Sequence, residues 1–103
     1  MEIRPEISVV IPIFRNWETL YPLYARLQSV LDGAGWSWEL IAVHDACPEG
    51  SLKVLRELAA NDERVRILDL PRNVGQHRAI WIGLHEVRGR YVVVMDADLQ
   101  DPP

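Results

Sequence analysis

Residues 91–95 of the chain read Tyr-Val-Val-Val-Met, and two carboxylates, Asp96 and Asp98, follow directly. A short run that is apolar on both faces is typical of a strand buried inside a parallel sheet. The run at residues 7–11 shares this character, and two further strands are predicted at residues 39–43 and 65–70. The sequence therefore predicts four strands, the last of which leads into a pair of acidic side chains.

Helical segments separate the predicted strands. Apolar residues recur at helical spacing between residues 20 and 31, so we expect a first helix with Thr19 as its N-cap and an end at Gly33. This start would place Pro22 in the first turn, where its missing N–H breaks no bond. Further helices are expected from Pro48 and from Asn73. The order β-α-β-α-β-α-β predicts an α/β fold, a parallel Rossmann-like sheet with helices on both faces.

Composition, net charge and cysteine count exclude several classes of protein for this chain. The chain has 103 residues, 49% of them hydrophobic, which fits one domain spanning residues 1–103 and excludes disorder. A net charge of −4 gives no basic face, so we expect no nucleic-acid partner. A single cysteine excludes an internal disulfide and a cysteine-based zinc site. The first residues lack the apolar segment of a signal peptide, and we expect a cytoplasmic protein.

The strongest chemical signal is the Asp-x-Asp pattern after the fourth strand. Ligands of parallel sheets bind beyond the carboxyl ends of the strands. If the chain stays extended, Asp96, Asp98 and Gln100 point to one side and offer the oxygen ligands that Mg²⁺ or Mn²⁺ prefers. The alternative is a helix cap within a solvated acidic loop. The position of the carboxylates at the ligand-binding edge favours a metal site.

Two further segments lie at the same predicted edge. Asp45 ends the second strand, and its carboxylate either accepts hydrogen bonds from the N–H groups of a nucleobase or caps a turn before Pro48. Asn73 and Gly75 open the third helix, whose free N–H groups either face a diphosphate or need no ligand. His44 is expected to be a packed or surface histidine rather than a ligand.

These segments together resemble the N-terminal part of a family 2 glycosyltransferase with the GT-A fold. Residues 8–14 resemble the family's opening strand and proline turn, and residues 43–51 align with its Val-Asp-Asp-Gly-Ser-Thr-Asp-Gly-Ser segment. Residues 72–75 resemble its Arg-Asn-x-Gly turn. Residues 96–103 are similar to the branch that glycosylates polyprenyl phosphates. Three departures are the pair Arg15-Asn16, where the branch often has Asn-Glu, His44, where the family has Asp, and Ala46, where it has Gly.

The resemblance implies a role for each matching position. Pro12, Phe14 and Asp45 would line the nucleobase pocket of a UDP- or GDP-sugar, and Asp96 would reach the ribose or the metal. Asp98 and Gln100 would hold Mg²⁺ or Mn²⁺ on the donor diphosphate. The acceptor would be a polyprenyl phosphate at the cytoplasmic face of the membrane, and the sugar would be transferred with inversion. The resemblance assigns no general base.

Two other functions remain open from the sequence. A phosphotransferase of the haloacid-dehalogenase type would use Asp96 as a nucleophile, but its motif belongs on the first strand and has Thr or Val where this chain has Gln100. A non-catalytic nucleotide-binding or assembly module is the second alternative. Because the family's GT-A domain is longer than this chain, we expect the isolated chain to be inactive and to self-associate through uncovered strand edges.

Overall fold

A sheet of four parallel strands organises the computed structural model, which describes residues 4–14, 17–46 and 50–96. The strands are β1 (Ile7–Ile13), β2 (Trp38–His44), β3 (Val65–Asp69) and β4 (Tyr91–Val94). They alternate with α1 (Trp17–Gly33), α2 (Ser51–Asn61) and α3 (Gln76–Leu84). Within these ranges no helix is both long and apolar enough to cross a membrane.

The spatial order of the strands is β3-β2-β1-β4, so the chain reverses its direction across the sheet after β3. With right-handed crossovers, this reversal puts α3 on the opposite face from α1 and α2. Leucines of α1 and α2 accordingly pack with Val9 and Ile11 on one face. Ala79 of α3 packs with Val10 and Ile41 on the other. The predicted α/β class, with helices on both faces of a parallel sheet, is confirmed.

Helix α3 lies very close to the sheet at Gly83. A Cβ atom at this position would be 2.7 Å from Cγ1 of Val10 and 2.9 Å from Cγ2 of Val43. Only glycine fits without displacing one of these side chains, since real Cβ atoms do not approach so closely. The close contact fixes the height of α3 above the two central strands.

The first helix differs from the sequence prediction. It begins at Trp17, two residues before the expected N-cap Thr19, so Pro22 lies in the second turn rather than the first. The proline therefore removes one helical hydrogen bond, which would have joined its nitrogen to the Glu18 carbonyl. Burial of Leu20, Leu23 and the rest of the apolar stripe outweighs this loss.

The fourth strand was expected to be buried, but its side chains are exposed. All four residues of β4 are exposed, with fractions between 41% for Val92 and 56% for Tyr91. The physical reason is position, because β4 pairs with β1 alone among the described strands and forms an edge of the sheet. An apolar sequence indicates a strand but does not say which neighbours cover it.

A buried carboxylate organises the opposite end of the sheet. Glu39 is 2% exposed and accepts hydrogen bonds from Ser8 Oγ (2.6 Å), Arg66 Nη1 (3.0 Å) and the Arg88 backbone N–H (2.8 Å). Burial alone would raise the pKa of Glu39, but these hydrogen bonds outweigh it and lower the pKa below its ordinary value. The ionised carboxylate thereby joins β1, β2, β3 and the segment before β4.

We predict that Glu39→Gln lowers the free energy of unfolding by about 1–3 kcal/mol at pH 7, because an amide nitrogen cannot accept the buried hydrogen bonds that the carboxylate receives from Ser8 and Arg88. The lowered pKa means that the contribution is complete above the ordinary carboxyl pKa and is lost as pH falls through the folded-state value. The difference from wild type should therefore shrink in acid. Urea unfolding at several pH values measures it, with the exposed Glu63→Gln as the matched control.

Candidate functional site

Three candidate site residues follow three adjacent strands at one edge of the sheet. Asp45 follows β2, Phe14 follows β1, and Asp96 lies two residues beyond the end of β4. The crossover helices lie on opposite faces of the sheet, with α1 on one face and α3 on the other. Such a switch point between β1 and β4 is where open parallel sheets bind ligands.

Pro12 and Phe14 occupy the end of β1. Pro12 was expected to end the strand, but β1 continues through it to Ile13. The Ile13 carbonyl accepts the Asp45 N–H and therefore faces β2, whereas the Val10 carbonyl accepts the Met95 N–H and faces β4. Backbone polar groups of successive residues alternate in direction along a strand, so the nitrogen of Pro12 faces β4. Paired β4 residues stop at the level of Val10, and the missing N–H therefore interrupts no ladder. Pro12 is buried, whereas Phe14 is 41% exposed.

The Asp45 carboxylate fastens the turn before α3 to the end of β2. It is 3% exposed, its Oδ1 accepts the Val74 N–H at 2.7 Å, and its Oδ2 accepts the Gly75 N–H at 3.0 Å. Asn73 Nδ2 donates to the Asp45 carbonyl at 3.1 Å. This long-range clamp was not predicted from the sequence; the nucleobase role stays a prediction, and the turn before Pro48 lies outside the described residues. Each oxygen takes one N–H and retains acceptor capacity, so the clamp also leaves base recognition open.

Backbone conformation explains two of the small residues near Asp45. Gly75 has φ +90° and ψ 158°, a conformation that residues with a Cβ rarely adopt, and it directs its N–H at the carboxylate. Ala46 has φ +51°, in the left-handed region that costs a non-glycine residue about 1 kcal/mol. The glycine of the resembling family motif would take this conformation without that cost.

Asp96 is exposed, and its Oδ1 accepts a hydrogen bond from Gln76 Nε2 at 2.8 Å. Among the residues that the structure describes, Gln76 is the hydrogen-bond donor to this carboxylate. Asp98 and Gln100 lie outside the described residues, and their metal-binding role stays a prediction. Across residues 4–14, 17–46 and 50–96, no group of three or more His, Cys, Asp or Glu side chains is placed to hold an ion. Asp96 thus fits as one ligand of an incomplete set.

Two further polar side chains complete the edge. His44 is buried, with Nδ1 3.1 Å from Asp69 Oδ1, so it is packed as expected. Gln76, which donates to Asp96, was not identified from the sequence. The segment that contains it was noted, but no local pattern links it to a carboxylate 20 residues later.

The family model of glycosyl transferase family 2 matches residues 8–103. The chain belongs to this family. The family 2 chain is 39% identical over 98 residues to an uncharacterized glycosyltransferase of Bacillus subtilis, covering 95% of the chain and 30% of the relative. It is also 39% identical over 98 residues to an undecaprenyl-phosphate 4-deoxy-4-formamido-L-arabinose transferase of Edwardsiella ictaluri, at 94% and 30% coverage.

Solved structures agree on the fold of this family 2 chain. A mannosyl-3-phosphoglycerate synthase from Rubrobacter xylanophilus matches at TM-score 0.76 and 20% identity, over 96% of the chain and 32% of that structure. A mannosyltransferase from Pyrobaculum calidifontis, in complex with GDP-Man and Mn²⁺, matches at 0.71 and 22%, over 93% and 28%. The chain spans about a third or less of the proteins it matches.

The comparisons confirm the resemblance predicted from the sequence, including the similarity to relatives named for undecaprenyl phosphate. They give no support to the phosphotransferase alternative. That alternative requires its nucleophilic aspartate after the first strand, whereas Asp96 follows the fourth described strand.

We predict that Asp45→Asn lowers the free energy of unfolding by about 1–3 kcal/mol, because an amide nitrogen cannot accept the N–H of Val74 or Gly75. Urea unfolding measures the change. The matched control is Asp69→Asn, whose amide oxygen can still accept from His44, with an expected loss below about 1 kcal/mol. Equal losses in the two variants would contradict the clamp.

Proposed function

We propose that this chain forms the donor-binding part of a glycosyltransferase that transfers a sugar from a UDP- or GDP-sugar to a polyprenyl phosphate, with inversion at the anomeric carbon. The observation that carries this proposal is that Asp45, Phe14 and Asp96 follow three adjacent strands at the switch point of a family 2 sheet. The chain would be one partial GT-A domain, residues 1–103, and would be inactive in isolation.

The nucleobase would bind between β1 and β2. The exposed ring of Phe14 offers a stacking surface beside the buried Pro12. Asp45 would accept ring N–H groups with the lone pairs that Val74 and Gly75 leave free. Asn73 and Gly75 contribute to this end of the site because they hold the turn against Asp45.

The diphosphate would bind toward β4. Asp96 would reach the ribose or a divalent cation through its second carboxylate oxygen, and Asp98 and Gln100 would supply further oxygen ligands. Mg²⁺ or Mn²⁺ held there would offset the negative charge that the leaving diphosphate acquires. The mannosyltransferase of similar fold, solved with GDP-Man and Mn²⁺, supports this choice of donor and cation.

The names of the relatives support the proposed acceptor. Those named for undecaprenyl phosphate support a polyprenyl phosphate, which would be met at the cytoplasmic face of a membrane. A phosphate monoester is already ionised at neutral pH, with a second pKa near ~6, so its oxygen can attack without a dedicated general base. The anomeric carbon would be attacked from the side opposite the diphosphate.

We predict that Mn²⁺ strengthens UDP or GDP binding about 5- to 100-fold, because too few protein ligands hold the cation without the diphosphate. Asp98→Ala should abolish this coupling and leave the melting temperature unchanged, since removing one of two neighbouring like charges costs the fold little. Calorimetric titrations with and without Mn²⁺, in wild type, Asp98→Ala and the control Glu63→Ala, measure the effect. Nucleotide affinity that ignores the metal in wild type would contradict the proposed function.

An assembly role is the second candidate, and the exposed edge strand favours it. Among the described strands β4 pairs with β1 alone, so its four exposed apolar residues offer a strand edge and apolar area to a second copy. We predict self-association of the isolated chain at tens of micromolar. Light scattering should show it, and Val93→Lys should abolish it because an edge lysine opposes strand pairing. The control is Val30→Lys, at an exposed position of α1. A monomeric wild type would contradict the prediction.

A further inference from the structure

The first residue of α3 contacts the carboxylate that follows β4. Gln76 Nε2 donates to Asp96 Oδ1 at 2.8 Å, across 20 residues of sequence. Both side chains are exposed, and the amide therefore adds no buried polar contact on which folding would depend. The bond lies at the same edge of the sheet as the Asp45 clamp.

The amide of Gln76 is carried by a well-anchored element. The N–H groups of the two preceding residues, Val74 and Gly75, are held by Asp45. Further along α3, Ala79 is fully buried and Gly83 lies against Val10. The position of Gln76 is therefore set from both sides, by the Asp45 carboxylate before it and by the packing of α3 on the sheet after it.

We propose that Gln76 is a positioning residue, which orients the Asp96 carboxylate so that its second oxygen faces the cation and the donor. This inference rests on the proposed function. A neutral amide suits the role, because it donates to one carboxylate oxygen without bringing a positive charge that would repel the cation. The bond also removes rotamer freedom from an exposed aspartate before the ligand binds.

Gln76→Ala should weaken nucleotide binding only where Mn²⁺ is present. Loss of one hydrogen bond to a carboxylate that binds the cation should weaken the Mn²⁺-dependent part of UDP or GDP binding about 3- to 10-fold. Nucleotide affinity without metal and the melting temperature should stay at their wild-type values. The matched control is Gln28→Ala, which removes the same side chain from the exposed surface of α1.

The experiment is a double-mutant cycle in the full-length protein. Wild type, Gln76→Ala, Asp96→Ala and the double variant are titrated with UDP and GDP, with and without Mn²⁺. Electron paramagnetic resonance of bound Mn²⁺ and melting curves accompany the titrations. If Gln76 acts through Asp96, its substitution has no further effect in the Asp96→Ala background.

Each of the following results would overturn the inference. A Gln76→Ala loss that persists at full size without Asp96 would mean that the amide contacts the nucleotide directly. Equal losses with and without metal, or a lowered melting temperature, would mean a structural role. Unchanged Mn²⁺ coupling in Gln76→Ala would remove the positioning role and leave the proposed function intact. Wild-type nucleotide binding that ignores Mn²⁺ would overturn the proposed function and the inference with it.

Discussion

The arrangement of the site depends on one buried carboxylate. Asp45 lies at the end of β2, and its two oxygens receive the N–H groups of Val74 and Gly75, about 30 residues away along the chain. These N–H groups sit beside the start of a helix, where no intrahelical acceptor exists for them. The charge-assisted bonds therefore fix where α3 begins, and with it the position of Gln76 beside Asp96.

The reversal of the chain after β3 supplies the second constraint. Two crossovers in one direction place β2 and β3 on one side of β1, and the third returns to place β4 on the other. Right-handedness then separates α3 from α1 and α2. The end of β1 consequently lies beside the end of β4, so Phe14 and Asp96 follow adjacent strands although 82 positions separate them.

The two described carboxylates of the site divide their tasks. Asp45 is buried and uses both oxygens to hold backbone N–H groups, whereas Asp96 is exposed and has one oxygen bound by Gln76. A buried carboxylate without such donors would be costly, and an exposed one with all its oxygens engaged would bind no cation. This division suits a donor that presents N–H groups at its base and negative charge at its diphosphate.

The sequence by itself determined the strand and helix order, the parallel sheet and the family, because hydrophobic periodicity and motif spacing are local properties. It also pointed to Asp45 and Asp96 as residues at the ligand-binding edge. Only the tertiary structure decided that Asp45 clamps the turn before α3, that Gln76 meets Asp96 and that β4 is an exposed edge. These three features depend on contacts between segments far apart in the chain, which no local pattern of residues encodes.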